Sequence, residues 1–383
     1  MTKKLVIFLL GSSFNPRHAE RIGIDLYRSA NIDFFVWECF FQRSIKIPKD
    51  ERSKFESENV NRLTSIRSVN RALDTLTGRK AIFIDSLGVD LTSRITRLLI
   101  KNRGHKIGLL KIQHLLEPQS SFIKRAYKKI RSFRGLTVRL NNAFLKIVLT
   151  RIRYDFIIYA GSEGLIKDIP IKIETCTYDV AHLNCCDKFS LEDALGESKR
   201  YIVFLDNGSY VHPDSSECHL YIKGELVEFT RKLKTFFSNL ESKTGARIII
   251  AAHPKVPEKH YSDFYKDFQV EFGKTASLTK GAIATCMVQS NSMGFAVLSK
   301  KPIIIITDNN HKDSYIGDYQ IIASEILGCK IINLDRNERI EALPTICQDR
   351  YDHYAEKYLA SKCFITSKTV WSPFINVILC GEL

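Results

Sequence analysis

Two polar clusters in the chain carry the residue types that bind an anionic group. His253-Pro254-Lys255 ends the apolar run 247–252, and Ser290-Asn291-Ser292 follows a second apolar run, 282–288. Short β-branched runs separated by helical spacers are typical of parallel strands buried on both faces. Ligands of open α/β sheets bind at the carboxyl ends of such strands. Imidazole, ammonium and hydroxyl groups at that edge predict a phosphate site.

The serine and asparagine residues of the second cluster directly precede the periodic segment Phe295–Leu298. We therefore expect Ser290, Asn291 and Ser292 to be N-cap residues of a helix, whose free N–H groups bind phosphate. A lone histidine is more often a structural hydrogen-bonding group. His253 precedes a proline, however, which forces it out of the sheet and favours a role in phosphate binding.

The order of these motifs resembles the C-terminal domain of GT-B glycosyltransferases. A His-Pro pair after one strand, a Ser/Asn turn, a helix of small residues and a Lys-Pro pair before an apolar strand follow one another within Tyr201–Thr307. More narrowly, they resemble bacterial polysialyltransferases and Kdo transferases, which use CMP-activated acidic sugars in surface polysaccharide synthesis. The resemblance implies an α/β fold of two Rossmann-like domains facing a central cleft. It also implies that the His-Pro and Ser/Asn motifs hold the CMP of the donor.

Two carboxylates are candidates for the chemistry. Asp206-Asn207-Gly208 ends the run Tyr201–Leu205 and resembles the acidic-glycine motif of those transferases, although Asn207 stands where a second acid is frequent. Glu163 follows the run 154–160. In a GT-B arrangement the two approach one sugar from opposite sides, as general base or as nucleophile. The alternative for Asp206 is a turn-former that bonds its own backbone. Asp85 ranks lower because it too is typical of a turn.

A further phosphate candidate is Gly273-Lys274-Thr275, which resembles the end of a phosphate-binding loop but lacks the upstream glycine of that motif. We therefore reject an NTPase, count Thr275 among the nucleotide-binding residues and expect it to be the N-cap of a helix over 276–280. The chain also lacks the D-x-D set of metal-dependent transfer. No metal and no cofactor are expected, and the resemblance implies that a helix dipole and basic side chains stabilise the leaving phosphate.

The first half of the chain alternates strands and helices in the same way. We expect strands at Leu5–Leu10, Asp33–Phe40, 80–85, 106–110 and 154–160, and helices near 17–29, 54–76 and 91–101. This alternation predicts a parallel, doubly wound sheet. Because 185–199 is polar and unpatterned, we expect it to link two domains. These are an acceptor-side domain at 1–190 and a nucleotide-sugar-binding domain at 197–383, whose last helix crosses back.

Length and composition limit the class of protein further. The 383 residues allow two domains, and the net charge of +15 implies attraction to nucleic acid, an acidic membrane surface or an acidic substrate. No apolar run reaches the ~20 residues of a membrane span. The apolar part of 3–10 is too short for a signal peptide, so we expect a first strand there. Ten scattered cysteines without C-x-x-C spacing are typical of a reduced cytosolic protein.

One basic segment, 121–153, interrupts the alternation. It has no Asp or Glu between 124 and 153, and apolar residues recur in it at helical spacing. A basic amphipathic pair of helices suits an anionic membrane surface. A solvated face over an ordinary core helix is the alternative, and nucleic acid is the least favoured partner because no nucleic-acid-binding motif is present. The candidate membrane residues are Lys124, Arg125, Lys128, Lys129, Arg131 and Arg134.

Taken together, the sequence predicts a metal-independent GT-B glycosyltransferase. It would move a nonulosonic acid or a Kdo-type sugar from a CMP-linked donor to a bacterial surface glycan of a capsule, O-antigen or lipooligosaccharide. We expect a lipid-linked acceptor and a cytoplasmic enzyme on the inner face of the membrane. One alternative is a CDP-polyol phosphotransferase of the teichoic acid type, which the motif order also resembles. Another is a non-catalytic protein that binds anionic polymer or lipid through the basic segment.

The membrane hypothesis is tested by reversing four charges of the basic segment. Replacing Lys128, Lys129, Arg131 and Arg134 by Glu should release the protein from anionic vesicles, because each basic residue adds about 1 kcal/mol near such a surface. Activity on a soluble acceptor should change little. Added salt should have the same effect, because exposed charges are screened within about 10 Å at 0.1 M ionic strength. Wild-type protein that fails to sediment with anionic vesicles at low salt would exclude this role.

Overall fold

The protein is an α/β structure built on two parallel sheets, one of seven strands and one of six. It is seen in a computed structural model that describes residues 3–40, 59–88, 90–112, 116, 153–187, 200–208, 226–312, 314–336, 338 and 340–383. Both sheets have the strand order of Rossmann-like domains. The predicted α/β fold with two such domains is therefore confirmed.

The first sheet consists of the apolar runs of the first half of the chain. Its strands are β1 (Leu5–Leu10), β2 (Asp33–Cys39), β3 (Val60–Leu63), β4 (Ala81–Asp85), β5 (Lys106–Lys111), β6 (Phe156–Ala160) and β7 (Ile171–Thr175). They lie in the order β3-β2-β1-β4-β5-β6-β7, and all neighbours are parallel. A side chain at Gly108 of β5 would overlap the ring of Phe156, its partner on β6, which is the reason for a glycine there.

The helices of this part differ from the predicted ones at two points. They are α1 (Pro16–Ile22), α2 (Ile24–Ser29), α3 (Ile66–Asp74) and α4 (Leu91–Asn102). Gly23 adopts the left-handed conformation, with φ of 66°, and divides the single helix expected near 17–29. The helix expected over 54–76 is confirmed at α3 and wrong at 60–63, which form β3 and pair with β2. Ser65 then starts α3, since its side chain accepts a hydrogen bond from the Ser68 N–H.

The second sheet has the same topology as the first. Its strands are β8 (Tyr201–Leu205), β9 (Arg247–Ala252), β10 (Gln269–Phe272), β11 (Ala284–Met287), β12 (Ile303–Thr307) and β13 (Lys330–Asn333). They lie in the order β10-β9-β8-β11-β12-β13, again with parallel neighbours. The chain leaves β8 towards β9 on one side and returns to β11 on the other. The loops after β8 and β11 therefore flank a topological switch point, where such sheets bind ligands.

The longest of the other helices packs an apolar face on the second sheet. These helices are α5 (Tyr178–Cys185), α6 (Leu226–Thr244), α7 (Glu258–Phe264), α8 (Thr275–Gly281), α9 (Met293–Leu298), α10 (Asn309–Lys312), α11 (Tyr315–Leu327), α12 (Gln348–Tyr354) and α13 (Ser372–Leu379). On α6 the apolar side chains, among them Phe229, Leu233 and Phe237, are buried in one cluster with Ile202 and Ile250 of the sheet.

Contacts divide the described residues into two compact units. The first lies within Met1–Gln113, Tyr127–Tyr178 and Thr369–Leu383, and the second within His114–Ala126 and Asp179–Lys368. The end of the chain thus packs with the first unit. The domain limits 1–190 and 197–383 stay a prediction. The nine cysteines that the structure describes are free thiols, and no helix in the described ranges is long and apolar enough to cross a membrane.

Trp371 fixes the end of the chain in the first unit. It is 1% exposed, and its ring lies edge-on to Phe8 of β1 at 5.2 Å between centroids. Its indole N–H donates to the Arg21 carbonyl at the end of α1, at 2.5 Å. The Thr175 hydroxyl on β7 donates to the neighbouring Val370 carbonyl. These contacts bury an aromatic ring and satisfy its polar atom at the same time.

We expect Trp371→Ala to lower the free energy of unfolding by about 3–5 kcal/mol, because it leaves a large cavity. Denaturant titration of both proteins measures this. Leu379→Ala in the same segment is the matched control, since Leu379 is 58% exposed. The control should change stability by no more than about 0.5 kcal/mol. Equal stability of Trp371→Ala and the wild type would contradict the packing described.

Candidate functional site

The candidate site lies at the carboxyl edge of the second sheet. Asp206, Asn207 and Gly208 follow β8, and the turn 288–292 follows β11, the neighbouring strand. His253 follows β9, on the other side of β8. Because the strands are parallel, these three loops emerge at the same edge of the sheet. The structure thus places the predicted Asp206, His253 and Ser290–Ser292 at one edge.

Asp206 is a buried carboxylate whose two oxygens both accept hydrogen bonds. The Gly208 N–H donates to Oδ1 at 3.1 Å, and the Tyr261 hydroxyl donates to Oδ2 at 2.8 Å. The first bond is the turn-forming contact that the sequence offered as the alternative role. Burial raises the pKa of Asp206 above its ordinary value, although the hydrogen bonds from Gly208 and Tyr261 oppose this. The carboxylate therefore holds a proton more readily than an exposed aspartate does.

His253 begins a turn that is held by hydrogen bonds at both its backbone and its ring. Its backbone N–H donates to the Tyr261 hydroxyl at 2.7 Å, and its ring Nδ1 accepts from the Lys255 N–H at 3.2 Å. The His253 side chain is partly exposed, and Pro254 and Lys255 are exposed. An imidazole and an ammonium group therefore stand at the surface of a fixed turn, a pairing suited to an anionic ligand.

The Ser290–Ser292 turn differs from the expected helix cap. Ser292 does occupy the N-cap position of α9, but its side chain makes no cap hydrogen bond, and α9 has only six residues. Instead the Ser290 hydroxyl accepts from the Ser292 N–H at 3.1 Å, and the Tyr319 hydroxyl donates to the Ser290 carbonyl at 2.9 Å. The prediction that all three residues cap a helix was wrong, because Ser290 closes the turn before the helix begins.

Thr275 also occupies a different position from the predicted one. It is the first residue of α8, and Lys274 takes the N-cap position without a side-chain cap bond. The N-cap assignment was wrong, because the helix starts one residue earlier than its apolar pattern indicates. The Thr275 carbonyl accepts from the Thr279 hydroxyl within the helix. Thr275 follows β10, the outer strand beside β9, and its nucleotide contact stays a prediction.

Sequence reasoning missed the residues that hold these loops. The Gln320 side chain on α11 donates to the carbonyls of Val288 and Ile306, at 2.9 and 2.8 Å, and so joins the ends of β11 and β12. Tyr261 joins Asp206 to His253, as described above. Both residues fit the pattern of a buried helix face, and no motif sets them apart. Their polar atoms become informative only when their partners are known.

A small pocket opens beside Asp206. Its lining includes Gly208, Phe229, His260, Tyr265 and Val288. His260 is 8% exposed, and within the described ranges its Nδ1 atom is buried without a hydrogen-bond partner. Burial lowers the pKa of His260, which keeps its imidazole neutral. The pocket therefore combines an apolar wall with a carboxylate and a neutral imidazole.

The other two carboxylates lie in the first unit. Glu163 is exposed on a short 3-10 turn, Ser162–Gly164, after β6. Asp85, at the end of β4, is buried and accepts from Arg97 Nε and from the Tyr154 hydroxyl, both at 2.6 Å. Asp85 is thus a structural ion-pair partner. The approach of Glu163 and Asp206 to one sugar stays a prediction.

Several expected features fall outside the described residues. They are the six candidate membrane residues, namely Lys124, Arg125, Lys128, Lys129, Arg131 and Arg134. Most of the expected linker, 188–199, and the segment 209–225 lie outside as well. Within the part that is described, no group of three or more His, Cys, Asp or Glu residues is placed to hold a metal ion.

Fold and site together define an α/β protein with two parallel, Rossmann-like sheets and a candidate site at the carboxyl edge of the second. No known family profile and no curated protein matches the chain in sequence.

Several solved structures share the general arrangement. A glycosyltransferase of kitacinnamycin is 12% identical, with a TM-score of 0.47, and the match covers 100% of this chain and 94% of the other. The UDP-GlcNAc 2-epimerase from Methanocaldococcus jannaschii is 13% identical, with a TM-score of 0.47 and 99% of both chains covered. The calicheamicin glycosyltransferase CalG4 is 11% identical, with a TM-score of 0.43, and 88% and 87% are covered.

Proposed function

We propose that this chain is a nucleotide-sugar glycosyltransferase that transfers an acidic sugar from a CMP-linked donor to a bacterial surface glycan. The observation that supports this most is the position of three elements at the carboxyl edge of the second sheet, on adjacent strands. These are the His253 turn, the Ser290–Ser292 turn and the buried carboxylate of Asp206. Phosphate-binding donors and a carboxylate that accepts a proton are what transfer from a nucleotide-linked sugar requires.

In the proposed reaction, the donor phosphate lies against His253, Lys255 and Ser292. The acceptor hydroxyl forms a bond to the anomeric carbon of the sugar. The bond from that carbon to the phosphate oxygen breaks, and CMP leaves with the electron pair. Charge-assisted hydrogen bonds from the His253 turn stabilise the departing phosphate without a metal ion.

The proton of the acceptor hydroxyl passes to a carboxylate, either Asp206 or Glu163. A raised pKa suits Asp206 for this step, because a general base is most effective when its pKa approaches the working pH.

The partners belong to the same proposal. A chain with a net charge of +15 attracts an acidic sugar polymer and an anionic membrane surface. We therefore propose a lipid-linked acceptor and a peripheral position on the inner face of the cytoplasmic membrane.

A donor panel tests the proposed reaction. Hydrolysis or transfer is measured with CMP-, CDP- and UDP-linked donors at equal concentrations, with wild-type protein and no added metal. Turnover of a CMP-linked acidic sugar alone is the expected result. Turnover of CDP-glycerol would indicate a polyol phosphotransferase. Turnover of UDP-sugars would show that the donor nucleotide is UDP and not CMP. The absence of turnover with every donor would favour a non-catalytic binding protein.

The phosphate site gives a second test. His253→Ala and Ser292→Ala should each weaken CMP binding without unfolding the protein, because the His253 side chain is partly exposed and the Ser292 side chain makes no cap bond. Loss of one charge-assisted hydrogen bond costs about 1.5–3 kcal/mol, which is roughly a 10- to 150-fold loss of affinity. Calorimetric titration measures it. His353→Ala, an exposed histidine on α12, is the matched control, and wild-type affinity in both site variants would exclude this site.

Measurements of kcat at saturating donor show which carboxylate, Asp206 or Glu163, accepts the proton. Asp206→Asn should lower kcat by about 10²- to 10⁴-fold if Asp206 accepts the proton. Glu163→Gln should then stay within about threefold of wild type, since its carboxylate would serve only as a polar group. The opposite result assigns the proton transfer to Glu163. Two active variants would show that neither carboxylate is the base.

A further inference from the structure

Tyr261 contacts two parts of the candidate site, the Asp206 carboxylate and the His253 turn. Its hydroxyl lies 2.8 Å from Asp206 Oδ2 and 2.7 Å from the backbone nitrogen of His253. A phenol has one proton and accepts through its lone pairs. Because the His253 N–H can only donate, the tyrosine proton is directed at Asp206. The hydroxyl therefore links the carboxylate to the His253 turn in one fixed sense, as acceptor from His253 and donor to Asp206.

Aromatic packing holds this hydroxyl in place. Tyr261 is 2% exposed on α7. Its ring meets His260 and Phe272 edge-on, at 5.3 and 5.4 Å between centroids, and lies 6.0 Å from Tyr265. A ring enclosed in this way cannot rotate to a second position without disturbing the core. The position of the hydroxyl thus sets the distance between Asp206 and the His253 backbone.

We propose that Tyr261 is a positioning residue that holds the Asp206 carboxylate and the His253 phosphate-binding turn in a single geometry. The proposal rests on the proposed function for the roles of Asp206 and His253, but the linkage itself is a property of the structure. A turn that binds phosphate through its side chains holds them in place only if its backbone is fixed before the ligand arrives. Tyr261 provides that fixation from the buried side of the turn.

Removal of the hydroxyl therefore affects both partners at once. In Tyr261→Phe the His253 N–H loses its acceptor, and Asp206 Oδ2 loses its donor while Oδ1 stays bonded to Gly208. The ring and its packing remain. We expect the turn to open more often and CMP to bind about tenfold more weakly, the equivalent of one lost hydrogen bond.

Tyr201→Phe is the matched control. The Tyr201 hydroxyl is also buried and donates to a backbone carbonyl, that of Leu278, at 2.7 Å. It lies at the start of β8, and Asp206 follows the end of that strand. This variant loses a buried hydrogen bond to the backbone, whereas Tyr261→Phe loses two bonds, so its stability should also fall, though by less. CMP affinity should stay within about twofold of wild type, because the bond lies outside the site.

The experiment measures two quantities in each protein: the affinity for CMP by calorimetry, and hydrogen exchange of the backbone amides around His253. Faster exchange at 252–256 and weaker CMP binding in Tyr261→Phe, with neither in Tyr201→Phe, support the proposal. Unchanged exchange at that turn in Tyr261→Phe overturns it, as does an equal loss of affinity in both variants.

A second variant covers the case in which Tyr261→Phe does not fold. In Asp206→Asn the amide replaces one of two acceptor oxygens by a donor, so it can satisfy the Gly208 N–H or the Tyr261 hydroxyl but not both. Faster exchange at 252–256 is again expected, and unchanged exchange would overturn the proposal. If wild-type protein binds no CMP, the proposed function fails, and the exchange result still decides the role of Tyr261.

Discussion

Parallel pairing of buried strands is the constraint on which the rest of the structure depends. All neighbours in both sheets are parallel, and the central strands are buried. Parallel strands need a crossover between them, so every loop that follows a strand emerges at the same edge. That edge collects the polar residues that end the apolar runs, because charged and amide groups cannot remain inside the sheet. The candidate site is a consequence of this topology.

The loops at this edge are held by side chains that reach back from the helices. Gln320 bonds the carbonyls of Val288, just after β11, and Ile306, near the end of β12. Tyr319 bonds the Ser290 carbonyl, and Tyr261 accepts the His253 N–H. These backbone groups lie at or just beyond the ends of strands, and a buried group without a partner would cost about 1–3 kcal/mol. The same bonds that satisfy the backbone therefore fix the shape of the site. These side-chain hydrogen bonds therefore both stabilise the edge of the sheet and determine the geometry of the site.

The central strands and the polar residues at their ends could be predicted from the sequence alone. The runs 248–252 and 303–306 are apolar throughout, and both lie in buried strands. The short strands β3, β7, β10 and β13 were not predicted. Each has only four or five residues and is partly exposed, so its apolar pattern is weak and its pairing depends on a neighbouring strand. Whether such a segment forms a strand depends on its place in the sheet, which the tertiary fold determines.

The hydrogen-bond partners within the site were equally beyond sequence reasoning. The residues Asp206, His253 and Ser290 follow from strand ends and turn chemistry. Tyr261 and His260 lie on a helix whose pattern indicates only a buried face. Ser292 occupies the expected N-cap position, but its side chain makes no cap bond, and its own N–H donates to the Ser290 hydroxyl. The local sequence indicates which side chains can form a hydrogen bond in the site. The tertiary packing determines which of them do.

The two buried aspartates at strand ends, Asp85 and Asp206, have different hydrogen-bond partners. The partners distinguish a structural role from a chemical one. Asp85 follows from the same pattern as Asp206, yet it is bonded to the Arg97 guanidinium, which balances its charge. Asp206 accepts hydrogen bonds from the Gly208 N–H and the Tyr261 phenol, which are neutral donors. Burial raises the pKa of Asp206. A carboxylate paired with arginine holds a loop, whereas one that is bonded by neutral donors and has a raised pKa takes up a proton more readily. The second arrangement, at the switch point of the second sheet, is the one suited to proton transfer.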